Sequence, residues 1–187
     1  MRDGGQPESA LYRRLLGARF EVLPARVREL HDVTAPSIWH GSADVVRGPS
    51  MPARLLATVL RLPPDGPHQS LRVSFEPKDG REFWTRQFDR AVFRSVQFER
   101  DGLQCERIGP SCLMSAPVAS SDGLALELRA ITVFGVPLPG ALHPRVRTFE
   151  CEHGGRYHFE AEAHLPLVGL LVRYAGWLER AEAPACA

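Results

Sequence analysis

Hydrophobic and polar positions alternate most cleanly in the second half of the chain. In "LRVSFEP", Leu71, Val73 and Phe75 share one face, the spacing of a strand whose side chains point to opposite sides in turn. In "RYHFEAEAH", Tyr157, Phe159, Ala161 and Ala163 take one face, while His158, Glu160, Glu162 and His164 take the other. Short breaks rich in Gly and Asp ("KDG", "RDG", "SDG" and "HGG") separate such runs and read as hairpin turns. Residues 70–164 are therefore predicted to be almost wholly antiparallel strand. Leu71, Val73, Phe75, Leu126, Tyr157 and Phe159 should face one core. "GVPLPGALHP" reads as a loop, because its prolines deny backbone donors, and "LLVRYAGWLE" reads as a last strand.

The first third has helical spacing instead. "SALYRRLLG" predicts a helix with Ser9 as N-cap, Gly17 as its stop and Leu11, Leu15 and Leu16 on one face. A second helix starts near Pro24, with Leu23, Val27 and Leu30 at i, i+4 and i+7. "IWHGSADVV" (38–46) is the first strand. A third helix follows Ser50, with Pro52 in its first turn. It carries Met51, Leu55, Leu56, Val59, Leu60 and Leu62, too many apolar residues for one narrow stripe, and is expected to be covered on more than one side.

Eight or nine antiparallel strands in one sheet tend to curl, which also buries their edges. The expected fold is α+β: a strongly curved antiparallel sheet or barrel, packed with the N-terminal helices and one apolar helix after the first strand. The expected domain spans 9–180, between a disordered tail (1–8) and a flexible C-terminus (181–187).

Four strands break the polar-out pattern. In "REFWTRQF", Arg86 shares a face with Trp84 and Phe88. Glu106 shares one with Ile108, Tyr174 lies between Val172 and Leu178, and His40 shares a face with Ile38 and Val46. Trp84, Arg86, Phe88, Glu106, Tyr174 and His40 are the candidate ligand-binding residues. A buried guanidinium needs a partner, and Glu106 is the nearest acid expected on that side. A cavity arginine can also grip an anionic group, and a carboxylate in an apolar cavity can serve as acid or base. The plainer reading of both residues is a structural ion pair, with the Tyr174 hydroxyl bonded to backbone.

Composition narrows the chemistry further. The 187 residues suit one core, and 44% hydrophobic with 24% charged residues suits a globular chain. A net charge of +1 makes no case for nucleic acid or an anionic membrane from the total alone. Asparagine is absent and Lys78 is the only lysine. Such a bias, with abundant Ala, Gly, Pro and Arg, is that of a GC-rich genome, so arginine number carries no functional weight. Lys78 lies in a turn, which argues against Schiff-base or phosphate-loop chemistry. No signal peptide and no segment of spanning length is visible, and the expected location is the cytoplasm. Cys105, Cys112, Cys151 and Cys186 form no CxxC pair and are expected to be free thiols. Cys151, His153, His158 and His164 are close in sequence, but two of these histidines face outward and the spacing is not that of a zinc site. Neither a metal nor a cofactor is expected, and no catalytic residue is assigned.

As a set, "LYRRLLGARFEVLPARVRELH", "EFWTRQF", "ERIGP", "FGVPLPGALHP" and "LPLVGLLVRYAGWLE" resemble an uncharacterised bacterial family, domain of unknown function 4166. The resemblance covers about residues 11–179. Members of that family also occur C-terminal to saccharopine-dehydrogenase-like domains, which implies an oxidoreductase partner. This chain has no GxGxxG and no room for a dinucleotide domain, so that partner would be a separate protein.

Three readings of function follow. The favoured one is binding of a mostly apolar small molecule or acyl-type ligand in a cavity of the curved sheet. An alternative is a metal-independent cyclase or isomerase using the same cavity. A third is an accessory module docking on a separate oxidoreductase. A fully packed interior would favour the last.

Overall fold

A computed structural model describes residues 9–89 and 91–181. The expected tail at 1–8 and the terminal residues 182–187 lie outside the described residues. Near the N-terminus come α1 (Leu11–Leu16), a 3-10 segment (Gly17–Val22) and α2 (Ala25–His31). Strand β1 (Ser37–Arg47) is followed by α3 (Met51–Val59). The remaining strands are β2 (Gly66–Lys78), β3 (Arg81–Phe88), β4 (Ala91–Arg100), β5 (Leu103–Ile108), β6 (Ser111–Ser120), β7 (Gly123–Val133), β8 (Val136–Pro137), β9 (Arg145–His153), β10 (Arg156–Leu165) and β11 (Gly169–Arg180).

These strands form one antiparallel barrel of ten, with β8 a two-residue spur on β7. Each strand pairs with its neighbour in sequence, β7 pairs with β9, and β1 with β11 closes the ring. The turns explain why. Asp79–Gly80, Asp101–Gly102 and Gly154–Gly155 all have positive φ at both central residues, the geometry whose twist suits a two-residue hairpin.

One join is much weaker than the rest. Strands β7 and β9 pair only at Leu124–Glu150 and Ala125–Phe149, after which the Leu126 N–H donates to Thr148 Oγ1 at 3.0 Å. The approach there is close: a Cβ on Gly123 would lie 2.0 Å from the Glu150 carbonyl oxygen.

Because the barrel is up-and-down, its two ends differ. The turns at 79–80, 101–102 and 154–155 sit at one end, with α1 and α2 laid across it. Arg14 donates to the Gly80 carbonyl and Arg26 to that of Gly155. Leu11, Leu16, Phe20, Val27 and Leu30 of this helical plug are buried and continuous with the barrel core of Trp39, Leu71, Val73, Phe75, Phe88 and Leu178. The other end carries α3, the 134–144 loop and the turn at 166–168, without any such plug.

Two local expectations need correction. Ala10, not Ser9, occupies the N-cap of α1, and it makes no side-chain cap bond. The third helix begins as expected, with Ser50 Oγ accepting the Ala53 N–H and Pro52 in the first turn. It is not covered on several sides, however. Only Ala53 and Ala57 are buried, because these small residues let the helix lie flat on β1 and β11, and Met51, Leu55 and Val59 face outward.

Candidate functional site

The alternation of β3 turns Glu82, Trp84 and Phe88 inward, and Arg86 with them. Arg86 meets Glu106 of β5, Nη2 to Oε1 at 3.3 Å, and its Nη1 donates to Ser95 Oγ of β4 at 2.9 Å. The guanidinium carbon sits 4.8 Å from the Trp84 ring centroid and 5.5 Å from that of Phe93. Both charged side chains are mostly enclosed, at 12% and 17% exposure. Burial alone would pull the Arg86 pKa down, yet the Glu106 carboxylate outweighs it and holds the guanidinium charged.

A second polar group faces this pair. His31, at the end of α2, is completely buried, and its Nε2 shares a short hydrogen bond with Glu150 Oε2 of β9. His31 Nδ1 has no hydrogen-bond partner among the described residues. The Tyr12 ring packs tilted against His31, centroids 4.0 Å apart, and its hydroxyl donates to Gln97 Oε1 at 3.2 Å. Tyr157 lines the same cavity as Glu150. Burial, reinforced by neighbouring carboxylates, pushes the phenols of Tyr12 and Tyr157 well up. Tyr174 is also raised, by burial first, although Arg86 opposes. All three tyrosines are therefore neutral hydrogen-bond donors at physiological pH.

Between the two groups lies a cavity of about 80 Å³. Arg86, Glu106, Glu150 and the three tyrosines supply polar atoms, and Leu71, Val73, Phe88, Phe159 and Leu178 supply apolar wall. It borders an open groove of about 460 Å³ along β7, β9 and β10, through Leu126, Thr148 and Glu160, which line both. The groove lies where β7 and β9 have stopped pairing.

Trp84, Arg86, Phe88, Glu106 and Tyr174 thus all line one cavity. His40 does not. It is exposed on the outer face of β1, because Trp39, Ala43 and Val45 are the residues that turn inward there. Sequence reasoning missed His31, Glu150, Tyr12 and Gln97. Tyr12 and His31 sit on helices whose apolar spacing points only to packing. Glu150 and Gln97 sit on strands whose more apolar neighbours, Phe149 and Val96 with Phe98, lie on the opposite face.

Cys105, Cys112 and Cys151 are free thiols. Among the described residues no three His, Cys, Asp or Glu side chains gather as a metal site, and no helix is long and apolar enough to cross a membrane. No curated protein and no solved structure matches the chain significantly. A family model described as domain of unknown function DUF4166 matches residues 23–178, most of the barrel, and the chain belongs to that family.

Proposed function

We propose that the barrel binds a slender, mostly apolar small molecule, with a neutral polar end held among Arg86, Glu106, Glu150 and the tyrosines. The observation that carries this reading is the cavity itself, apolar along its walls and polar where Arg86 and Glu150 face it. Arg86 is already paired with Glu106, and Glu150 already shares a hydrogen bond with the His31 ring. An incoming carboxylate would meet two carboxylates, whereas a hydroxyl or carbonyl finds tyrosine donors and carboxylate acceptors. The cavity's 80 Å³ is far below the roughly 300–1,000 Å³ of a site for a drug-sized ligand. It takes a ring or a chain end, and the rest of the ligand lies in the groove.

One observation favours a second reading, a metal-independent isomerase or cyclase. Glu150 borders the cavity with a buried histidine behind it, and His31 Nδ1 remains unpartnered among the described residues. A carboxylate so placed can take a proton from a substrate carbon, while a neutral tyrosine donates to the adjoining oxygen.

Native mass spectrometry of the purified protein, followed by solvent extraction, tests the binding reading directly. The neutral dye Nile red gives a second measure: its emission should rise with the wild type and fall at least about tenfold with Ala161→Phe, which fills the cavity. Equal dye binding by the two proteins, with no co-purified molecule, would overturn it.

A further inference from the structure

The end of the barrel without a helical plug is unusually apolar outside. Met51, Leu55 and Val59 recur every four residues along the outer side of α3 and are 77%, 68% and 67% exposed. Leu167, at the tip of the β10–β11 turn, is fully exposed. Phe134 (84%) and Val136 (66%) project from the connection that follows β7. These three projections lie on one arc of the rim: α3 packs on β1 and β11, and Ser50 Oγ donates to the Val168 carbonyl at 3.0 Å. The arc from β7 through β9, β10 and β11 spans about three strand spacings, roughly 15 Å. The open groove lies inside it. Among the described residues the plugged end shows fewer and less exposed large apolar side chains, Val22 at 52%, Val118 at 42% and Phe83 at 38%.

The segment that carries α3 is charged by arginine alone. Arg54, Arg61 and Arg145 are exposed and have no acidic partner among the described residues. Glu127, Glu160 and Glu162 of the groove pair with Arg129 and Arg173, and three exposed aspartates nearby each accept a backbone N–H. Asp44 accepts the His68 N–H, Asp65 the Arg47 N–H and Asp89 the Ser70 N–H. No Asp or Glu occurs between Asp44 and Asp65, the whole segment that contains α3. The net charge of +1 conceals this segregation.

We propose that this rim docks on an anionic bilayer, with α3, the 134–136 projection and Leu167 entering the interface and the arginines meeting lipid phosphates. Apolar tips on three separate projections, with exposed arginines on α3, just after it and at the start of β9, suit a fluid surface that moulds to them better than a rigid, shape-matched protein face. The inference goes beyond cavity binding and does not depend on it. It would, however, set the groove against the phase in which an apolar molecule dissolves.

Sedimentation of the full chain with vesicles of equal parts phosphatidylcholine and phosphatidylglycerol, and with pure phosphatidylcholine, tests it. The expected result is binding to the anionic vesicles only, weakened by added salt. Leu55→Asp with Phe134→Asp should lower it at least about tenfold. Val22→Asp at the plugged end should leave it unchanged, and all variants should melt like the wild type. Absence of vesicle binding, or binding untouched by the rim substitutions, would overturn the proposal. So would light scattering that finds a dimer of the wild type and a monomer of the rim variant, which assigns the face to a second copy.

Discussion

Arg86→Met isolates the energetics of the cavity. Methionine keeps most of the stem that packs on Trp84 and Phe93 but removes the charge, the Ser95 hydrogen bond and the contact with Glu106. Glu106, only 17% exposed, is then left as an uncompensated carboxylate. Two unit charges about 4 Å apart attract by ~4 kcal/mol at an effective dielectric of 20. Removing one member of a buried pair costs about 3–5 kcal/mol, which agrees with that figure. For a chain of this size each kcal/mol moves the melting temperature by roughly 2–4 °C, so the midpoint should fall by roughly 6–20 °C. The double variant Arg86→Met/Glu106→Leu should regain most of the loss, because no charge is stranded. Urea unfolding of the wild type, both single variants and the double variant gives the coupling directly. The reasoning is refuted by an Arg86→Met variant within about 1 kcal/mol of wild type, the size of a solvated pair. A double variant as damaged as the single would refute it too.

The remaining expectations concern other parts of the barrel. Glu82 accepts the Leu11 N–H and the Trp84 Nε1–H, and burial raises its carboxyl above the usual 4.5 despite those bonds. The folded chain therefore holds this proton more tightly than the unfolded one. Its contribution is full below pH 4.5 and is lost as pH rises through the raised value, so Glu82→Gln should flatten that decline in pH-dependent urea titrations. Cys105 is buried and its thiol is pushed up to about 11, so iodoacetamide should leave it unlabelled in the native protein at neutral pH, and peptide mapping will show this. Denatured protein prepared without oxidation should titrate as four thiols. Gly123→Ala forces a methyl group onto the Glu150 carbonyl and should cost about 1–3 kcal/mol in chemical denaturation, while Gly102→Ala, which meets nothing, should report only the strain of its positive φ.

What could be read from the chain followed from simple alternation. On β2, Leu71, Val73 and Phe75 turn inward with polar residues between them, and the same logic places Trp84, Phe88 and Arg86 inside and asks for Glu106 as partner. Two strands mislead, because their polar face is the inner one. On β4, Phe93, Ser95 and Gln97 point in while Val92, Val96 and Phe98 point out. Phe98 is sheltered there by Arg81 and Arg107, whose guanidinium carbons lie 5.4 and 5.6 Å from its ring centroid. On β9, Thr148 and Glu150 line the cavity and Phe149 faces outward. A polar interior supplied by several strands and a helix inverts the local pattern, and no window of neighbouring residues reveals that. His31 and Glu150 are 119 positions apart, and only the closed ring brings them together.

The brief pairing of β7 with β9 makes the ring behave as a belt with one short clasp. Every other junction can hold while this one parts, since only the contacts around Leu124, Ala125 and Thr148 need to break. Local opening draws on the least stable junction, so backbone amides beside this clasp should exchange with solvent well before those of β1 and β11. Glu150 is itself a clasp residue. Parting the belt would open the wall beside this carboxylate, so on the binding reading the wall that would admit a molecule also holds the group that would meet it.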